Sequence, residues 1–333
     1  MTSRSLDNLF SEFNKLKAIV IGDVMIDSYY WGQVERISPE APVPIVSVTK
    51  IEERLGGAAN VALNIQALGA IPILCSVIGD DADGQLFLNL LDKNNQTKRG
   101  ILQSKRTLTT KKTRIIGNRH QMLRVDAEDA EPISEAETQL LFEHIKTLIN
   151  EQKIDVVIFE DYDKGAITPT LIESVVELCN KLDIPTSVDP KKRNFNQYMG
   201  VDLFKPNLKE LAEGLKVDVD PKDPNSLKDA IHLLHNHLHH RSTLLTLSEH
   251  GILIDDGNSL EIIKAHARDI TDVSGAGDTV ISVASLLLAL KASTKVIAEL
   301  SNLAGGLVCE KIGVVPIDKQ QLLEEAKTLL DRE

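Results

Sequence analysis

The run Thr271-Asp272-Val273-Ser274-Gly275-Ala276-Gly277-Asp278-Thr279 leads directly into an apolar segment. Glycines let backbone N–H groups turn together toward a ligand, and a helix N-terminus adds the positive end of its dipole. Gly275, Ala276 and Gly277 therefore read as an anion hole suited to phosphate oxygens. Asp278 falls in the first helical turn, where the dipole tolerates its charge. A carboxylate beside such a hole can take a proton from an attacking hydroxyl while the hole neutralises a moving phosphoryl group. Asp278 is the candidate base of that reaction. A bare G-x-G-D string equally describes a helix N-cap with an acidic first turn, so the surroundings must decide.

Polar residues recur where short apolar runs end: Asp23 and Asp27, Glu160-Asp161-Tyr162, Asp189-Pro190-Lys191, Asn207 with Glu210, and Ser248-Glu249 before Gly251. Ionised Asp23 and Asp27 are pure acceptors and suit sugar hydroxyls; Asp23 is equally a strand-end turn residue. Gly56, Gly57 and Asn60 open a helix and would face the same ligand, or form a tight turn. Asp189 is a candidate contact to substrate or to a metal-bound water, or a turn residue before proline. Asn207 and Glu210 share one face of a helix start, which is also the pattern of a capping box. Ser248, Glu249 and Gly251 read as a hairpin turn between two strands.

The elements that must position these groups alternate. Lys17–Ile21 reads as a buried first strand and residues 29–51 as a proline-punctuated β excursion. A small-residue helix over Ala58–Leu68 follows. Strands are expected at Pro72–Ile78, Asp155–Phe159, Pro185–Val188, Asp202–Lys205, Leu244–Leu247 and Ile252–Asp255. Helices are expected at Gln85–Lys93, Ser134–Asn150, Thr168–Lys181, Gly275–Leu290 and Thr294–Lys311. Arg106–Gly117 and Gln121–Val125 read as an antiparallel pair. The pattern predicts an α/β fold with a mostly parallel central sheet and helices on both faces. Residues 1–333 are expected to form one domain, its small β-lid built from about 29–53 and part of 106–126.

Composition narrows the function. With 333 residues and a net charge of −12, the chain lacks the basic excess of a nucleic-acid binder. Its N-terminus has no apolar signal core, and no apolar run reaches the length of a membrane span, about 18 residues. Cys75, Cys179 and Cys309 form no C-x-x-C pair, so reduced thiols in the cytoplasm are expected. His232, His235, His237, His239 and His240 are read as solvated side chains rather than a metal cluster.

Gly56-Gly57-Ala58-Ala59-Asn60-Val61-Ala62 and the Asp272–Asp278 string resemble, in order and separation, the two signatures of the ribokinase-like (PfkB-type) carbohydrate kinases. Asn207-Leu-Lys-Glu210 is similar to that family's N-x-x-E motif, which organises magnesium and phosphate. Gly22-Asp-Val-Met-Ile-Asp27, Ile37-Ser-Pro-Glu-Ala-Pro-Val-Pro44, Asp161-Tyr162-Asp163-Lys164-Gly165-Ala166 and Ser248-Glu249-His250-Gly251 further resemble the heptose 7-phosphate kinases of lipopolysaccharide precursor synthesis. The resemblance implies ATP with Mg2+, phosphorylation of C1 of D-glycero-D-manno-heptose 7-phosphate, and nucleotide contacts from Ser248, Glu249 and Gly251. Glu210 would act on magnesium through water. Lys164 and Lys191, and less directly Arg124, would meet the substrate's own phosphate. The absence of an H-x-G-H string resembles the stand-alone kinase form. A homodimer through the apolar side of the lid is expected. A need for a monovalent cation is not encoded. The alternatives are a kinase of another sugar, sugar phosphate or nucleoside, and a non-catalytic sugar sensor. A dinucleotide enzyme and a P-loop NTPase lack their G-x-G-x-x-G and G-x-x-x-x-G-K-[ST] strings here.

Overall fold

The computed structural model describes residues 3–330. Helix α1 (Ser3–Glu12) precedes strand β1 (Lys17–Gly22), and two long strands follow, β2 (Val24–Ile37) and β3 (Pro44–Gly57). Next come α2 (Ala58–Ala67), β4 (Ile71–Gly79), α3 (Ala82–Lys93), β5 (Gly100–Ser104), β6 (Lys111–Gly117) and β7 (His120–Ala127). The middle contains α4 (Glu135–Glu151), β8 (Val156–Glu160), α5 (Pro169–Lys181), β9 (Thr186–Asp189), β10 (Leu203–Phe204), α6 (Leu208–Leu215) and α7 (Pro224–Leu238). The chain closes with β11 (Ser242–Thr246), β12 (Ile252–Asp255), β13 (Leu260–Ile263), α8 (Ala276–Ala289), α9 (Thr294–Cys309) and α10 (Lys319–Leu330).

Nine strands make the main sheet, in the order β13-β12-β11-β10-β9-β8-β1-β4-β5. Neighbours from β11 to β5 run parallel, and β12 and β13 add an antiparallel edge. The parallel strands are short apolar runs because both faces are covered; β8 is buried along its whole length. Helices α2, α8 and α9 pack on one face, and α4, α5 and α7 on the other. Helix α8 is buried nearly all round, which its small and apolar residues permit. The α/β class and the mostly parallel sheet are as expected.

A second, four-stranded sheet has the order β3-β2-β6-β7. It takes in residues 24–57, 111–117 and 120–127, so it reaches past the expected bounds of the lid at both ends of the first segment. The strand expected from Arg106 starts at Lys111 instead. Residues before it hook onto the main sheet: the Thr109 N–H donates to Asp81 at 2.9 Å, and its hydroxyl accepts from the Gly79 N–H at 2.9 Å. Edge strands β5 and β13 were not anticipated, being too short for a clear period. Every residue of β7 is exposed. Among the described residues, no helix is long and apolar enough to cross a membrane.

Candidate active site

Strands β1, β8 and β9 end side by side, with Gly22 opposite Glu160 and Glu160 opposite Asp189. Above these ends two helices begin. Gly57 caps α2 with φ of +61° and Gly275 caps α8 with φ of +79°, conformations that favour glycine. Asn60 and Asp278 are each the third residue of their helix, and the Asn60 Nδ2 donates to Asp278 Oδ2 at 2.6 Å. The Tyr162 hydroxyl donates to Asp278 Oδ1 at 2.7 Å. Asn64, one turn on in α2, accepts through Oδ1 from Thr279 Oγ1 at 3.2 Å and from the Ile317 N–H at 2.9 Å. These bonds lock α2 to α8 around the candidate base.

Burial raises the Asp278 carboxyl above the ordinary aspartate value; the Asn60 and Tyr162 donors oppose this, the Asp189 charge adds to it, and Lys205 opposes it. The net rise moves Asp278 toward the range useful to a general base near neutral pH. Of the three N–H groups of the glycine loop, that of Ala276 already donates to the Val273 carbonyl at 3.3 Å. Gly277 and Asp278 lie within the first turn, whose N–H groups have no partner inside the helix. The Asp272 carboxylate holds the loop's shape by accepting from the Ser274 and Gly313 N–H groups, both at 2.9 Å.

A charged cluster adjoins Gly277. A Cβ built on that glycine would lie 3.4 Å from Asp189 Oδ2 and 3.7 Å from Lys205 Nζ. Buried Lys205 pairs with Asp189 at 2.8 Å, and Lys191 pairs with Asp189 at 3.4 Å and also with Glu210. Burial opposes the charge of Lys191, but the Asp189 and Glu210 carboxylates outweigh it and push its pKa above the ordinary lysine range. Asn207 and Glu210 form a capping box on α6: the Asn207 side chain accepts from the Glu210 N–H, and Glu210 Oε2 accepts from the Asn207 N–H, both at 2.8 Å. Both Glu210 oxygens are thus engaged, Oε1 by Lys191. That leaves no free oxygen for direct ligation and fits a magnesium held through its water shell.

Below the base lies Glu160, fully buried, with no hydrogen-bond partner on either carboxyl oxygen. Burial, then the charges of Asp189 and Asp278, hold its pKa well above the ordinary glutamate value, so it is a neutral acid.

Asp23 does not offer its carboxylate freely to a sugar. Oδ2 accepts from the N–H groups of Tyr162 at 2.8 Å and Lys164 at 3.1 Å, and Oδ1 from that of Ala166 at 2.9 Å. A buried carboxylate at a strand end is pulled onto nearby amide donors, and here it folds the loop after β8. Asp27 pairs with Arg114, and a Cβ on Gly56 would stand 2.3 Å from Asp27 Oδ2, so only glycine admits that carboxylate.

The three basic residues expected at one phosphate are not held together. Lys164 pairs with Glu128 at 2.9 Å, while Lys191 belongs to the Asp189 and Glu210 cluster. Arg124 lies on exposed β7 and pairs with Asp126 at 2.9 Å; its cross-strand neighbour Arg114 is the one turned to Asp27. The Arg54 and Arg114 guanidinium groups stand 5.0 and 5.2 Å from the centre of the Tyr29 ring. Ser248, Glu249 and Gly251 form a short 3-10 turn between β11 and β12, where Ser248 and Gly251 have positive φ. His235 Nε2 donates to Asp255 Oδ1 at 2.8 Å, and its ring stacks on His240, whose pKa burial lowers to about 3. Both rings serve the packing between α7 and the sheet.

Comparison with known proteins fits this arrangement. The family model described as "pfkB family carbohydrate kinase" matches residues 15–320. The chain belongs to the pfkB family of carbohydrate kinases. Among curated relatives, the "Bifunctional protein HldE" of Desulfatibacillum aliphaticivorans is 40% identical over 313 residues, 94% of this chain and 63% of the relative. That of Wolinella succinogenes is 39% identical over 295 residues, 89% of this chain and 61% of the relative. The pfkB kinase thus spans somewhat less than two thirds of these relatives. Among solved structures, phosphofructokinase-2 from Escherichia coli in complex with potassium superposes with a TM-score of 0.78 at 18% identity, over 95% of this chain and 99% of that one. Arabidopsis thaliana ribokinase complexed with ribose and ATP gives 0.70 at 17% identity, over 93% and 98%. The shared fold is ribokinase-like.

Several residues of the candidate site carry little local signal. Asn64 is a single polar residue within apolar surroundings, and Lys205 stands two residues before the Asn207–Glu210 string. Tyr162 stands in a string noted for its lysine. The sequence places Lys205 at a strand end directly before Pro206-Asn207, and its burial in the structure obliges it to find a carboxylate.

Proposed function

We propose that this kinase transfers the γ-phosphoryl group of ATP to the C1 hydroxyl of D-glycero-D-manno-heptose 7-phosphate. The 1,7-bisphosphate formed would feed ADP-heptose and lipopolysaccharide core synthesis. One observation carries the catalytic half of this reading: Asp278 is held by two donors at a helix N-terminus beside the Asp189 and Lys205 pair. The relatives named HldE and the strings around Asp27, Ser38 and Lys164 support the choice of sugar.

As the C1 oxygen forms its bond to the γ-phosphorus, its proton passes to Asp278. The bond from phosphorus to the bridging oxygen breaks, and ADP keeps the electron pair. The N–H groups of Gly277 and Asp278, with Lys205 close by, face the charge of the group in transit. Bound magnesium would neutralise phosphate charge, with Glu210 and Asp189 as the carboxylates that hold its waters. The second sheet serves as a lid that excludes water from the transfer. It leaves Val43, Val48 and Ile51 exposed, and a second copy of the chain covers them in the homodimer we propose. All three cysteines are buried and free, in keeping with a proposed place in the cytoplasm.

The test is ATP turnover against heptose 7-phosphate, ribose, fructose and adenosine, with and without potassium. Heptose 7-phosphate is expected to give the highest kcat/KM; a better rate with another acceptor overturns the choice of sugar. Asp278→Asn is expected to lower kcat on the order of a thousandfold. Unchanged turnover would falsify the base assignment.

A further inference from the structure

Asp278 is a short side chain in a buried site, and a carboxylate rotates easily about its last torsion, whose preference is broad. A base of this kind works only when its plane is fixed against the acceptor hydroxyl. Two donors meet it from different elements. Asn60 Nδ2 reaches Oδ2 from α2 at 2.6 Å, and the Tyr162 hydroxyl reaches Oδ1 from the loop after β8 at 2.7 Å. Each oxygen therefore has its own donor, and the plane of the carboxylate is set.

Tyr162 is itself held on both sides. Its backbone N–H donates to Asp23 at 2.8 Å, within the loop that Asp23 also binds through Lys164 and Ala166. The Lys191 ammonium stands 5.5 Å from the centre of its ring, a cation–π distance. Lys191 in turn is tied to Asp189 and Glu210. The phenol therefore joins the loop after β8, the base and the cluster of Lys191, Asp189 and Glu210. Phenylalanine would fill the same space and keep the cation–π contact, so only the hydroxyl explains the bond to Asp278.

We propose that Tyr162 is a positioning residue for phosphoryl transfer, its hydroxyl fixing one oxygen of Asp278 while Asn60 fixes the other. The phenol keeps its proton throughout. It donates to the ionised carboxylate before the transfer, and Asp278 alone receives the proton of the sugar hydroxyl. The donor also favours the charged form of Asp278 against burial and against the neighbouring Asp189, with Asn60 and Lys205 helping. This rests on the reading of Asp278 as base.

The experiment compares Tyr162→Phe, Asp278→Asn and the double variant in the full chain, using ATP and whichever acceptor of the panel the wild type turns over best. Tyr162→Phe is expected to lower kcat by about tenfold or more, the scale of one lost hydrogen bond to a charged group. KM for both substrates should stay within about twofold, because the hydroxyl contributes through the base and not to ground-state binding. The acid limb of the kcat profile should move to higher pH, and the double variant should be no slower than Asp278→Asn. Wild-type kcat in Tyr162→Phe overturns the proposal. So does a loss that adds fully to that of Asp278→Asn, or a rise in both KM values with an unmoved pH profile, as a merely structural residue would give. Should Tyr162→Phe not fold, as read by circular dichroism, Tyr162→3-fluorotyrosine carries the test. Its stronger donor should move the acid limb to lower pH, and an unmoved limb overturns the proposal. Full turnover by Asp278→Asn removes the base reading instead, and Tyr162 with it. An inactive Asp278→Asn beside a wild-type Tyr162→Phe removes only the role of Tyr162.

Discussion

The base end of the main sheet and the lid sheet handle charge in opposite ways. At the base end, Asp23, Glu160, Asp189 and Asp278 are all buried. Each is either saturated with donors, paired with a lysine, or neutral. On the lid, apart from the covered Asp27 and Arg114 pair, pairs such as Lys50 with Glu52 and Arg124 with Asp126 lie at the surface, where solvent screens them and little stability results. The lid also leaves Ile37, Leu123 and Val125 uncovered. The difference teaches where each task resides. Proton transfer needs dipoles arranged before the substrate arrives, so the base end is built dry and rigid. A lid must move or be covered, so its energy comes from what meets it.

The comparison breaks most severely at Asp23. Asp23→Ala leaves the N–H groups of Tyr162, Lys164 and Ala166 without their acceptor. Buried unsatisfied donors are costly, and a loss of about 3 kcal/mol or more is expected in urea denaturation. Turnover should fall with it, because the loop that seats Tyr162 loosens. Stability within 1 kcal/mol of wild type, as a rough bound for an ordinary surface substitution, would show that the loop stands without Asp23.

At the lid the expected effect is on assembly. Val43→Lys with Ile51→Lys places two charges on exposed apolar positions of the lid. Light scattering at micromolar concentration should give a dimer for the wild type and a monomer for the variant. A monomeric wild type sinks the lid dimer.

The smallest effect, and the one that sharpens the contrast, is at Glu160. Its folded pKa lies well above the ordinary value because of burial. The unfolded chain releases this proton at about pH 4.3, while the folded chain keeps it. Above that pH the unfolded state binds fewer protons, so the stability that Glu160 contributes falls as pH rises toward its folded pKa. Glu160→Gln removes the titration. Thermal scans should find the variant gaining on the wild type from pH 4.5 to 8, a window chosen to start about at the ordinary glutamate value. A constant difference across that range overturns the neutral state of Glu160.

Much of this site is written in short strings. The glycine loop before Asp278 fixes a helix N-terminus wherever it folds, because few residues adopt the φ of +79° found at Gly275. Asn207 and Glu210 cap α6 by contacts three residues apart, which the string alone dictates. Asp23 was visible as a strand-end carboxylate, but its partners lie more than a hundred residues away. The assignment to sugar hydroxyls gave way to loop building for that reason. Arg114 and Arg124 are cross-strand neighbours on one face, but Arg114 stands on β6, between β2 and β7, whereas Arg124 stands on the exposed edge strand β7.

What the sequence by itself determined is the chemistry available and the local shape that presents it: an acid after a glycine loop, a capped helix, alternating strands and helices. Those depend on torsions and on hydrogen bonds between near neighbours. The tertiary structure decided which carboxylates are ionised, saturated or neutral. Charge and protonation follow from burial and from partners brought together across the chain. Asp278 is a candidate base in its string, and becomes a held base only where Asn60, 218 residues away in sequence, and Tyr162, 116 residues away, close on its two oxygens.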